Sequence, residues 1–100
     1  MRVRLGGKYF DIRFVPRLGE HGTDADGDCS IRDQVIRIRH GLSEDDFLET
    51  VIHEALHALM PYLEEDPVHN SAHDLMRLLK RFGYRKTLHG KCPEDGSTCS

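Results

Sequence analysis

His53, Glu54 and His57 form the pattern H-E-x-x-H within TVIHEALHALMPYLEED, residues 50–66. On a helix, positions i and i+4 lie above one another on one face, so the two imidazoles can be offered to a single metal ion. The intervening glutamate is rotated by about 100° from His53. In this arrangement it does not coordinate; it takes a proton from water and later passes it to a leaving amine. Zinc held by such a pair lowers the pKa of a bound water to about 7 and polarises a carbonyl. Two ligands are too few, because a catalytic zinc site needs a third protein ligand and one open position. The pattern is short, and the competing reading is a helix that carries two surface histidines and merely packs. Helical context discriminates between the two.

That context is present. Ser43 is a good N-cap, and Asp46 three residues on gives an acidic variant of the capping box. Phe47, Leu48, Val51, Ile52, Ala55, Leu56 and Leu59 recur at helical spacing, and Pro61 stops the helix. The apolar stripe centres on Leu48, Ile52, Ala55 and Leu59. The histidine pair lies away from that centre, with Thr50 and Met60, and so faces something other than the middle of the core. A second helix begins near residues 64–67, with Pro67 tolerated in its first turn. Its stripe is Val68, Ala72, Leu75, Met76, Leu79 and Phe82, and Gly83 closes it. Arg77, Lys80 and Arg81 suit the negative end of its dipole.

Upstream the period is two. VRLGGKYFDIRFV alternates around Gly6-Gly7 and reads as a hairpin closed by Pro16. CSIRDQVIRIRHG alternates again around Arg32-Asp33-Gln34, with Ile36 and Ile38 on one face and Arg37 and Arg39 on the other. Between them lies a polar loop. Its DADGD resembles the start of a calcium loop, but the twelfth position counted from Asp24 is Val35 rather than glutamate, which argues against calcium. Strands first and helices after predict an α+β domain: a small, antiparallel-rich sheet of about four short strands with two helices packed on one face. The expected domain spans residues 1–88, followed by a flexible polar tail over residues 89–100.

The 100 residues carry a formal charge of −3, with 38% apolar and 31% charged side chains and seven histidines. This is the balance of a single soluble domain, with no general pull toward nucleic acid or anionic membrane. No apolar run approaches the roughly 20 residues of a membrane span. The N-terminus lacks the apolar stretch of a signal peptide, so the expected location is the cytoplasm. Three cysteines, Cys29, Cys92 and Cys99, do not make a disulfide framework.

With motif, cap and strands in place, the chain resembles small gluzincin-type metallopeptidases of the SprT-like and ImmA/IrrE-like groups. The resemblance covers about residues 27–85, through GDCSIRDQVIRIRHGLSEDDFLETVIHEALHAL and EEDPVHNSAHDLMRLLKRFGYR. It implies a zinc-dependent peptidase acting on a cytoplasmic protein, and short versions in phages would act in the host cytoplasm. It also implies peptide substrate held along the edge strand before the motif helix, here QVIRIR, from Gln34 to Arg39. The family's third ligand is a glutamate near the start of the next helix. Glu65 is the counterpart, with His69, Glu64 and His73 as alternatives because the connection from Pro61 to Pro67 is tight. A transition-state donor is expected among Tyr62, His69, His73 and Tyr84. The zinc ribbon of larger SprT-like proteins, with two C-x-x-C pairs, has no counterpart in Cys92 and Cys99. The DNA role attached to it is therefore in doubt, and the basic cluster Arg77, Lys80, Arg81, Arg85 and Lys86 reads first as a solvated helix end. The alternative to an enzyme is a non-catalytic regulatory module that keeps the fold and holds zinc structurally, its site closed by a fourth ligand.

Overall fold

Gly6 and Gly7 turn the chain back on itself. Both take positive φ, 61° and 84°, which a tight hairpin turn requires and glycine adopts without strain. In the computed structural model, which describes residues 1–16 and 26–84, β1 (Arg2–Leu5) and β2 (Lys8–Val15) pair antiparallel across that turn. β3 (Gly27–Ser30) and β4 (Val35–Arg39) form the second hairpin. Gln34 precedes β4 at φ 56°, and its side-chain amide donates to the Tyr9 carbonyl at 2.9 Å, pinning this turn to the first hairpin.

The two hairpins join through β2 and β4, which run parallel, giving the order β1-β2-β4-β3. The α+β expectation holds, with a mixed rather than purely antiparallel sheet. The register sets Ile12 beside Ile36 and Phe14 beside Ile38, so the apolar faces of both hairpins become one surface. The expectation that residues 34–39 form an edge strand is corrected. β4 is hydrogen-bonded on both sides, and the edges are β1 and β3. The reason is burial. Ile36 and Ile38 are fully buried and take the interior position, while the short, polar β3 is suited to an edge.

α1 (Glu44–Leu59) starts at Ser43, whose Oγ accepts the Asp46 N–H at 3.1 Å. Glu44, Asp45 and Asp46 place negative charge on its positive end. One side of α1 brings Phe47, Val51 and Ala58 against Phe10, Ile36, Ile38 and Leu42. Another side packs Ile52 and Leu56 against Val68 and Ala72 of α2 (Glu65–Arg81). α2 meets α1 and no strand among the described residues. The helices therefore do not share the sheet face, as had been expected; α1 is a middle layer with two apolar sides. With one neighbour, α2 buries Val68, Ala72 and Met76, while Leu75, Leu79 and Phe82 of its expected stripe stay exposed.

The C-terminus of α2 closes as expected. Gly83 sits at φ 92°, its N–H bonded to the Lys80 carbonyl and that of Tyr84 to Leu79, a Schellman arrangement. Lys80 reaches Glu44 at 3.1 Å and Asp45 at 2.6 Å, tying the end of α2 to the start of α1. The expected boundary at residue 88, the polar tail, Arg85, Lys86, Cys92 and Cys99 lie outside the described residues, as does most of the loop before β3.

Candidate metal centre

The last two turns of α1 present His53 and His57 with ring centroids 4.9 Å apart. Pro61 has no N–H to continue the helix. The short link after Leu59 therefore reverses the chain, and the first turn of α2 lies beside the last turn of α1. This brings in Glu65. His53 Nε2 is 2.9 Å from its Oε2, and His57 Nε2 is 3.2 Å from its Oε1. One donor atom from each residue lies within 4.8 Å of the others, close enough to hold one metal ion.

The other candidates for the third position are placed differently. Glu64 is the α2 N-cap residue, outside this cluster. His73 lies two turns further along α2, with Nδ1 at 3.2 Å from Glu49 Oε1. His69 is one turn from Glu65, with its ring 6.1 Å from that of His53.

The histidines open onto a cavity of about 620 Å³ between the polar face of α1, β3 and the start of α2. Glu54 lines it while only 7% exposed. Burial pushes its carboxyl up to about 7, with the nearby charges of Asp28 and Glu65 adding to the shift. A carboxyl in that range is half ionised at neutral pH and can both accept and return a proton. Of the four candidate transition-state donors, only His69 lines this cavity. Tyr62 is 78% exposed. Tyr84 feels Glu44 and Lys80, at the far end of the helix pair.

Sequence reasoning missed the opposite wall. Gly27 lies in β3 directly against α1. A Cβ there would stand 2.7 Å from Thr50 Cγ2, 3.0 Å from the Arg37 carbonyl and 3.2 Å from Glu54 Cγ. Only glycine lets the edge strand come this close, and a glycine inside a strand is the available signal for such an approach. Asp26 and Asp28 also line the cavity. Across the hairpin Arg37 donates to Asp28 at 2.9 Å and Arg39 to Asp26 at 2.8 Å, which ties these carboxylates to the sheet. Asp46, read from the sequence as the capping-box partner of Ser43, and Glu49, which the sequence did not single out, line the cavity as well.

No protein-family model matches the chain, and neither a curated protein nor a solved structure matches it. The functional reading therefore rests on these residues and their geometry.

Proposed function

We propose that this chain is a zinc metallopeptidase of the small zincin type, hydrolysing peptide bonds of a protein substrate. The observation that carries the reading is the convergence of His53, His57 and Glu65 at one mouth of a cavity whose wall holds a buried carboxyl at Glu54. Two histidines and a glutamate are a catalytic zinc donor set, and ligands at about 2.0–2.1 Å in a tetrahedron lie about 3.4 Å from one another. The two N–O separations, 2.9 and 3.2 Å, fit that spacing within a few tenths of an ångström. Zinc bound there supplies an acidified water and a Lewis acid for the substrate carbonyl.

The chain's own residues supply the rest. Glu54 takes a proton from the attacking water and returns it to the amine nitrogen as the C–N bond breaks, a role that suits a buried carboxyl beside the histidine pair. His69 is the donor best placed to steady negative charge on the carbonyl oxygen, since it lines the cavity one turn from Glu65. The edge of β3, unpaired among the described residues, is suited to receive substrate backbone by strand addition. This moves the expected substrate strand from β4 to β3.

Glu54→Gln keeps the side chain's shape and removes its proton acceptor. Zinc content and melting temperature should stay near wild type, while cleavage of casein or a peptide library falls by at least about 10²–10⁴-fold. Equal cleavage by both forms would place the base elsewhere. A second reading, the non-catalytic zinc module, is favoured by the nearness of His69 to His53. Four protein ligands at zinc by X-ray absorption, with no cleavage by either form, would establish it.

A further inference from the structure

We infer that the cavity selects peptides carrying lysine or arginine two or three residues to one side of the scissile bond, recognised by Glu49 and Asp46. The inference rests on the peptidase reading and adds its substrate class. Six carboxylates line the cavity: Asp26, Asp28, Asp46, Glu49, Glu54 and Glu65. Among the described residues no lysine or arginine does. These six are not equivalent. Asp26 and Asp28 are paired with Arg39 and Arg37, Glu65 meets the two histidines, and Glu54 has the catalytic role.

Asp46 and Glu49 are left over. The Asp46 side chain has no ion pair among the described residues, and Glu49 meets only His73, at 3.2 Å. The same cavity holds the buried Glu54, so the acidic wall runs from the exposed Asp46 at its rim to the proposed base.

Helix geometry gives the position along a substrate. Asp46, Glu49 and Thr50, His53 and His57 follow one face of α1. At about 1.5 Å per residue, Glu49 lies about 6 Å and Asp46 about 10 Å from His53 along the axis. An extended peptide beside β3 advances about 3.3 Å per residue. The two carboxylates thus stand about two and three residues from the metal-binding histidines, and only toward the N-terminus of α1. A lysine or arginine side chain there reaches them, while glutamate meets like charge.

The test uses quenched fluorogenic peptides with lysine, glutamine or glutamate at each of the three positions on either side of the cut. For zinc-loaded wild type, kcat/KM should be highest for lysine at the second or third position on one side. The lysine-to-glutamine ratio should be about fivefold at low salt, as partly exposed charge pairs give, and should shrink as salt rises. In the Glu49→Gln/Asp46→Asn variant the ratio should fall to about one, whereas Asp74→Asn, on the exposed side of α2, should leave it unchanged. A ratio of one or less in wild type, or a ratio that survives the double variant, overturns the inference and leaves the peptidase reading standing. If wild type cleaves no peptide, that reading fails by itself. Anisotropy of the same peptides on zinc-loaded protein then decides the present point: tighter binding of the lysine set, lost in the double variant, supports it, and equal binding overturns it.

Discussion

Cys29 lies on β3 beside the candidate centre, and its surroundings fix its chemistry. Burial, then the charges of Glu54 and Asp28, push its thiol up to about 11. The thiolate is the reactive form. A raised pKa removes it, so at pH 8 only about one thiol in a thousand is ionised, against roughly a quarter at the ordinary 8.5. In a protein carrying Cys92→Ser and Cys99→Ser, iodoacetamide at pH 8 should modify Cys29 about a hundredfold more slowly than a free thiol. The rate should rise about tenfold per pH unit toward 11. A free-thiol rate at pH 8, read by mass spectrometry, would show that Cys29 is neither desolvated nor near negative charge. At this scale the sequence is legible where helix periodicity governs: His53, Glu54 and His57 follow from i, i+4 spacing. Glu65 is reached only through the family resemblance, with His69, Glu64 and His73 left as alternatives, because which residue meets the pair depends on how the reversal at Pro61 sets α2 against α1. The burial of Glu54 and Thr50 was not legible, because it depends on a strand distant in sequence docking at Gly27.

At the scale of elements, the described strands and helices fall close to where alternation, the 3.6-residue period and the caps place them, except that β3 takes in Gly27 and Asp28, read as loop, and ends at Ser30, before Ile31. The pairing does not follow from those signals. Hairpins are encoded locally by turns, whereas β2 beside β4 joins residues 11–15 to 35–39 and is set by the common burial of Phe10, Ile36 and Ile38 under α1. Hence the edge strand was misplaced by one position in the sheet. The docking of β3 on α1 has its own test. Gly27→Ala forces a methyl to within 2.7 Å of Thr50 Cγ2, so the strand or helix must shift, at a cost of about 1–3 kcal/mol. For a chain of this size that lowers Tm by about 4–8 °C per kcal/mol. Thr50→Ala removes the opposing methyl group, so the double variant should lose less than the sum of the two single changes. Additive losses in thermal melts would mean that the two residues do not press on one another.

For the whole molecule, two small apolar clusters carry three layers: Phe10, Ile36, Ile38 and Leu42 under α1, and Leu56, Val68 and Ala72 between the helices. Leu75, Leu78, Leu79 and Phe82 leave much of their surface exposed along α2. A chain this short buries a modest share of its surface, and among the described elements α2 is held by α1 alone. His53, His57 and Glu65 join these two helices next to the smaller cluster, so metal bound by all three would act as a clamp on the least anchored layer. A ligand that binds only the folded state stabilises it by about 4 kcal/mol at a thousandfold excess over Kd. That corresponds to a Tm rise of more than about 10 °C. Zinc added to EDTA-stripped protein should produce such a rise, with the gain in amide protection concentrated in α2 rather than in β2 and β4. His53→Ala and Glu65→Ala should abolish the rise, and His69→Ala should keep it. If His69→Ala abolishes it while Glu65→Ala keeps it, His69 is the third ligand. If Tm is the same with and without zinc, the triad does not join the helices through a metal at all.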